Sequence, residues 1–187
     1  MPLEIRRMDV AYQGWSTLYV ATVSGDDGVE FKREIEHHGR AAAVLPYDPE
    51  RRVALLVAQP RAPVIWQGGP AELFEAPAGM LDDDDPESAV RREAMEEAGL
   101  RLGELTYVGS PFPMPGVSSE RIDMYLAPYA ATDRVAAGGG VAGEHESITV
   151  VEVTLAELWA LADAGGVDDL KTLALILALK VRRPELF

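Results

Sequence analysis

Three glutamates in the middle of the chain have the spacing that would let them bind one divalent cation. Glu93, Glu96 and Glu97 stand at positions i, i+3 and i+4, so their carboxylates would share one face of a helix. Like charges at this spacing repel each other by about 0.2–0.5 kcal/mol per pair, and Arg92, four residues before Glu96, offsets part of that repulsion. A divalent cation would cancel the rest, and carboxylate oxygens suit Mg²⁺ or Mn²⁺. From spacing alone, a solvated acidic helix face is the alternative.

A helix that would carry these glutamates is predicted from Pro86 to about Ala98. Asp85 is a good N-cap, and Pro86 takes the first helical position, where its missing N–H costs nothing. Gly99 follows with the conformational freedom of a left-handed C-cap. The aspartates at 82–85 fit loop solvation and helix capping, and they lack the spacing of an EF-hand calcium loop.

The sequence of this helix resembles the second half of the Nudix box, R-E-U-x-E-E-x-G-U, in which U is an aliphatic residue. Residues 92–100 match that pattern, and Gly79 corresponds to the first glycine of the box. The loop after Gly79 is one residue short, and Asp84 stands where glutamate is usual. This variant resembles the GDP-mannose pyrophosphatase branch. Similarity to the wider ADP-ribose and GDP-mannose pyrophosphatase group covers most of the chain, through residues 32–34, 59–61, 75–79, 115–116, 119–120, 138–140 and Glu144.

The resemblance implies a metal site on the helix. Glu93, Glu96 and Glu97 would hold Mg²⁺, with Mn²⁺ as an alternative, against a diphosphate. The backbone carbonyl of Ala78, just before the box glycine, would be a further ligand. The ion would neutralise and orient the phosphates and lower the pKa of a bound water. Arg92 would pair with a glutamate and fix its rotamer.

A general base is expected on the loop that follows the glycine-rich tract. Related pyrophosphatases use a glutamate on this loop to activate the attacking water. Counting back from Ile148 assigns that role to Glu144, with Glu146 as the alternative. The glycines before it would allow the loop to close over substrate. An ordinary acidic loop is the competing interpretation, and His145 could contact a phosphate or have no role.

Four residues elsewhere are candidates for contacts with the substrate or the metal. Arg61 could clamp a phosphate with two parallel hydrogen bonds, and Trp66 could stack on a base or sugar. Each could equally be structural. Glu120 matches a family position near the substrate. Glu75 could bind metal or substrate, or it could be a solvated strand end.

Composition and charge limit the class of partner. The net charge of −14 disfavours nucleic acids and anionic membranes, and it means that phosphate anions would need a bridging metal. Without cysteine there is no disulfide, thiolate nucleophile or Cys-based metal site.

The N-terminus lacks the apolar core of a signal peptide, and the most hydrophobic run, 173–179, is too short to span a bilayer. We therefore expect a cytoplasmic protein. His37 and His38 lack metal-ligand spacing and are predicted to lie on the surface.

The pattern of elements predicts an α/β or α+β fold with helices on both faces of a mixed sheet. The resemblance implies a Nudix α/β/α sandwich. We expect an N-terminal β-hairpin region at residues 1–38, which would reach across a homodimer, and a Nudix hydrolase domain at 39–187. A loop is predicted at 59–72, and a last helix, apolar nearly all round, at 168–181. Strands are predicted at 15–23, 29–36, 40–45, 53–58, 73–76, 105–110, 121–128 and 148–153.

The predicted function is Mg²⁺-dependent hydrolysis of the pyrophosphate in a nucleoside diphosphate sugar, which would yield a nucleoside monophosphate and a sugar phosphate. The shortened box and the glycine tract favour GDP-mannose, with ADP-ribose as the close alternative. A non-catalytic nucleotide-sugar sensor is disfavoured because Glu93 and Glu97 are both present. A house-cleaning enzyme for nucleoside triphosphates is disfavoured by the N-terminal hairpin and the distant loop glutamate.

Overall fold

The computed structural model describes residues 2–81, 85–141, 143 and 147–187 and contains two β-sheets. The smaller is an antiparallel N-terminal sheet in the order β1-β2-β3, formed by β1 (Glu4–Gln13), β2 (Thr17–Ser24) and β3 (Glu30–His37). The sequence predicted only the second and third of these strands. Irregularities in the pairing between Ile5 and Arg7 and between Val10 and Tyr12 interrupt the apolar–polar alternation of β1, which is why its pattern does not identify a strand.

The larger sheet is mixed and has the central order β10-β5-β4-β9-β8, with β6 paired to β5 and β7 paired to β4. In the part of the chain that the structure describes, β4 and β9 run parallel and the other pairs run antiparallel. Its strands are β4 (Arg40–Asp48), β5 (Val53–Gln59), β6 (Leu73–Glu75), β7 (Ala78–Met80), β8 (Thr106–Gly109), β9 (Arg121–Pro128) and β10 (Thr149–Thr154).

The helices are α1 (Ala62–Trp66), α2 (Pro86–Ala98), α3 (Leu155–Asp163) and α4 (Leu170–Arg182), with 3₁₀ turns at Ala131–Asp133 and Pro184–Leu186. The segment predicted as a loop at 59–72 therefore contains one short helix, α1. Pro63 fits its first turn because a backbone N–H there needs no helical partner. None of the helices in the described residues has the length and apolar character needed to cross a bilayer.

Alternate residues of β4 face two separate cores. Ala43 and Leu45 pack into the cluster that includes the buried leucines of α3 and α4, whereas Ala42 and Val44 pack into the cluster that includes the alanines of α2. A strand buried on both faces has an apolar run without alternation, as this one does. The predicted α/β/α sandwich is confirmed. The last helix buries only one side, however, because Val181 is 81% exposed.

Candidate active site

The helix that carries the three glutamates is fixed at its N-terminus by Asp85. Its Oδ1 accepts hydrogen bonds from the backbone N–H groups of Glu87 and Ser88, each at 3.1 Å. At the other end Gly99 takes the left-handed conformation, with φ of 68°. Both predicted caps are therefore present, and α2 has the predicted bounds.

The glycine tract caps the C-terminus of this same helix. The N–H of Gly139 donates to the carbonyl of Glu97 at 2.8 Å, and the N–H of Gly140 donates to the carbonyl of Glu96 at 3.0 Å. These are carbonyls in the last turn of α2, where helical partners run out. Gly138 has φ of +74°, and a Cβ at this position would overlap the Glu97 carbonyl. This contact was not predicted, since the sequence suggested only a flexible hinge.

The carboxylates of the three glutamates are held by neighbouring groups. Glu97 is buried, and its Oε2 accepts a hydrogen bond from the Ala78 N–H at 3.0 Å. Arg92 Nη1 donates to Glu93 Oε1 at 2.7 Å and to Glu96 Oε2 at 3.3 Å, so Arg92 lies against two of the three acids. A catalytic role for any of them stays a prediction.

The donor set fits a divalent cation. Three carboxylates and the Ala78 carbonyl are hard oxygen ligands of the kind Mg²⁺ and Mn²⁺ take. The Glu93 carboxylate lies where a side chain on Gly79 would be, so the box glycine provides a cradle that a Cβ would fill. Among the described residues, no three acidic or histidine side chains converge closely enough to share one ion. In this arrangement Arg92 Nη1 bonds both Glu93 and Glu96.

A cavity of about 900 Å³ lies against this helix face and is lined by all three glutamates. It is within the size range of small-molecule sites. Its wall also contains Glu75, Arg61 and Lys171. Trp66 is not among its described lining residues, because α1 directs Pro63 and Val64 to the cavity and leaves Trp66 82% exposed. The predicted stacking role for Trp66 therefore has no support in this arrangement.

Glu75 is buried in an ion-paired cluster. Its two carboxylate oxygens accept hydrogen bonds from Arg61 Nε at 2.6 Å and Arg61 Nη2 at 3.0 Å, and Lys171 Nζ also bonds to it. Burial would raise the pKa of Glu75, but the hydrogen bonds from Arg61 and the charge of Lys171 hold this pKa below its ordinary value. The alternative of a solvated strand end is wrong. The guanidinium edge that was predicted to clamp a phosphate is engaged by Glu75.

Lys171 was not identified from the sequence. It follows Asp169, the N-cap of α4, and so lies in the first turn of that helix. A cation is unfavourable at this end of the helix dipole. This unfavourable position is the one local signal that Lys171 has an acidic partner elsewhere in the chain. The Lys171 side chain is only 11% exposed and lies beside Glu75.

Glu120 and the N-terminal sheet meet at His38. The imidazole Nδ1 lies 2.6 Å from Glu36 Oε1, and Nε2 lies 3.4 Å from Glu120 Oε1. Burial would lower the pKa of His38, but hydrogen bonds with both carboxylates outweigh it and raise this pKa above the ordinary value. The prediction that His38 is a surface residue is wrong, because its side chain is only 13% exposed. Trp15 stacks on its ring, with centroids 4.8 Å apart, and both residues line the cavity.

The model of the NUDIX domain matches residues 37–175 of this chain. The chain belongs to the NUDIX domain family. The predicted family and enzyme class are thereby confirmed, and Nudix hydrolases generally use a divalent metal.

Relatives of this Nudix chain include three that are named GDP-mannose pyrophosphatase. The one from Citrobacter koseri is 36% identical over 160 residues, which cover 84% of this chain and 82% of the relative. The one from Cronobacter sakazakii is 37% identical over 165 residues, which cover 88% and 85%. The Escherichia coli K12 protein is 33% identical over 160 residues, which cover 84% and 82%. A crystal structure of an ADP compounds hydrolase shares the fold, with a TM-score of 0.76, 16% identity and coverage of 98% and 97%.

Several predicted residues of the Nudix site lie outside the part of the chain that the structure describes. They are Glu144, its alternative Glu146, His145 and the box residue Asp84. Their assignments stay predictions from the family resemblance. The described residues 138–140 lead towards that loop from the end of α2.

Replacing Gly138 by alanine tests whether the glycine cap positions the Nudix helix. We expect Gly138→Ala to weaken Mn²⁺ binding, measured by electron paramagnetic resonance, by about tenfold, because the new Cβ would push the carbonyl of Glu97. Gly165→Ala is the matched control, since Gly165 also has φ of +74° but open space around it. The control should lose only about 1 kcal/mol of stability. Equal Mn²⁺ affinities in the two variants would contradict the positioning role.

Proposed function

We propose that this Nudix chain uses Mg²⁺ to hydrolyse the pyrophosphate bond of a nucleoside diphosphate sugar of the GDP-mannose or ADP-ribose type. The products would be a nucleoside monophosphate and a sugar phosphate. The observation that carries this proposal is the carboxylate face of α2, which lines a cavity of about 900 Å³. The relatives named GDP-mannose pyrophosphatase, which align with 84–88% of the chain, support the same substrate class.

Each part of the site has a distinct task in the proposed reaction. Glu93, Glu96 and Glu97 would hold the metal together with the Ala78 carbonyl. When bound there, the ion would neutralise phosphate charge and lower the pKa of a water. Arg92, bonded to Glu93 and Glu96, limits the rotamers that these carboxylates adopt.

Proton transfer is assigned to the loop beyond the glycine tract. Glu144, with Glu146 as the alternative, would accept the proton of the water as its oxygen bonds to one phosphorus. The bond from that phosphorus to the bridging oxygen would break, and the second phosphate would leave with the bridging oxygen. Arg61 and Lys171 line the same cavity, where both are ion-paired with Glu75.

A substrate panel tests the proposed class. We expect the protein with Mg²⁺ to hydrolyse GDP-mannose or ADP-ribose with a higher kcat/KM than UDP-glucose or dGTP. The assay would identify products by chromatography and would measure phosphate released after phosphatase treatment. A preference for dGTP would contradict the proposal and favour a triphosphate pyrophosphohydrolase.

Two glutamine variants separate metal binding from proton transfer. Glu97→Gln should abolish turnover and weaken Mn²⁺ binding, because it removes a ligand charge. Glu144→Gln should lower kcat by about 10²–10⁴-fold while Mn²⁺ affinity is retained, as expected for loss of a general base. Glu104→Gln is the control, since Glu104 is exposed and lies in the loop after α2. If the first two variants hydrolyse substrate like the control, the site assignment is wrong.

We also propose that the N-terminal sheet forms a homodimer interface. β1 is an edge strand, and Ile5, Val10 and Tyr12 on it are 58–62% exposed. An exposed apolar edge strand is a ready template for pairing with a second chain.

Light scattering after size exclusion tests this interface. We expect the parent to have the mass of a dimer and the double variant Ile5→Glu with Val10→Glu to have the mass of a monomer. Val181→Glu is the control, because Val181 is the most exposed apolar residue of α4, an element that is not part of the N-terminal sheet. A parent that is monomeric, or a double variant that remains dimeric, would overturn the proposal.

A further inference from the structure

We propose that the first turn of α4, residues 169–172, positions the metal-binding segment that leads into the Nudix box. Thr172 would fix the backbone of Ala76, and Lys171 would fix the side chain of Glu75. These contacts would place the Ala78 carbonyl opposite Glu97. The inference rests on the proposed function, since it takes Ala78 and Glu97 as metal ligands.

The backbone contact joins residues 96 positions apart in the chain. The Ala76 N–H donates to Thr172 Oγ1 at 2.7 Å, and that hydroxyl donates in turn to Asp169 Oδ2 at 2.5 Å. Ala76 and Thr172 are both buried, with at most 1% exposure. Ala76 comes directly after β6 ends, so the Thr172 hydroxyl supplies its N–H with the acceptor that a buried donor requires.

The charged contact fixes the residue before Ala76. Lys171 Nζ bonds to the Glu75 carboxylate and lies 3.1 Å from Asp169 Oδ1. Arg61 holds the same carboxylate from α1's N-cap position. Glu75 is therefore clamped between two cations from different parts of the chain, and this buried carboxylate cannot turn without losing its bonds to both of them.

The segment from Ala76 to Ala78 links these contacts to the proposed metal ligands, and each of its residues makes a hydrogen bond to another element. The carbonyl of Pro77 accepts a hydrogen bond from the Val44 N–H at 3.0 Å. The Ala78 N–H donates to Glu97 Oε2 at 3.0 Å. Because Ala76 is two residues from Ala78 and the proline between them restricts the backbone, a shift at Ala76 would be transmitted to the Ala78 carbonyl.

Thr172→Val tests the backbone contact, because valine keeps the shape of threonine and removes the hydroxyl. We expect its Mn²⁺ affinity, measured by electron paramagnetic resonance, to fall about tenfold, as for loss of a group that orients a metal ligand. At saturating Mg²⁺, kcat should fall while KM changes little. Thr172→Ser keeps the hydroxyl and should restore both quantities. Lys171→Met provides a second, independent variant and should also weaken Mn²⁺ binding.

Thr154→Val is the matched control for a simple loss of stability. Thr154 Oγ1 caps α3 by accepting from the Glu157 N–H at 3.2 Å, and Thr154 does not line the cavity among the described residues. The Thr154→Val variant should have a lower Tm than the parent and the same Mn²⁺ affinity. The inference is overturned if Thr172→Val and Lys171→Met bind Mn²⁺ like the parent, or if Thr154→Val weakens binding equally.

The same measurements separate this inference from the proposed function. If the parent binds Mn²⁺ but hydrolyses none of the nucleotide sugars, the proposed substrate class fails, and the Mn²⁺ affinities still decide the role of α4. If the parent is active and Thr172→Val equals it in Mn²⁺ affinity and kcat, only the role of α4 fails. A parent that binds no Mn²⁺ overturns both.

Discussion

The repulsion among three carboxylates on one face of α2 is the constraint on which the rest of the site depends. The chain places Glu93, Glu96 and Glu97 together in a protein whose net charge is already −14. Hydrogen-bond donors lie against all three acids: the Arg92 guanidinium bonds Glu93 and Glu96, and the Ala78 N–H bonds Glu97. A divalent cation bound to these carboxylates would offset their mutual repulsion further.

The surrounding elements each restrain one part of α2 or of the segment from Glu75 to Ala78. Asp85 fixes the beginning of α2, and the backbone N–H groups of 139 and 140 bond to carbonyls in its last turn. The chain from Glu75 to Ala78 is bonded to α4, β4 and α2 in turn. Helix and segment are also joined to each other by the bond from the Ala78 N–H to Glu97, so a shift in either would be transmitted to the other.

Local signals made α2 predictable, because its caps are adjacent in sequence to the turns they fix. β4 and β5 were predictable from apolar runs. Contacts across the fold had no such signal. Thr172 and Lys171 bond to residues 96 positions earlier in the chain, and no spacing rule connects them.

His38 has one partner nearby in sequence, Glu36, two residues away, but its contact with Glu120 arises only in the folded chain. The sequence therefore led to the wrong prediction that His38 lies on the surface. Trp15 lines the cavity and stacks on His38, whereas Trp66 is not among the described lining residues, and neither placement has a local signal in the sequence.

The N-terminal sheet belongs to the site as well as to the proposed interface. At the end of β3, Glu36 exchanges backbone hydrogen bonds with Val117 and Ser119, and its carboxylate accepts from the Ser118 hydroxyl at 2.7 Å. The loop that leads to Glu120 is therefore fastened to this sheet, and His38 bridges the two acids. Because Trp15 stacks on His38, one wall of the cavity depends on residues that precede the main sheet. A change in how the N-terminal sheet packs would then alter the cavity directly, without acting through α2.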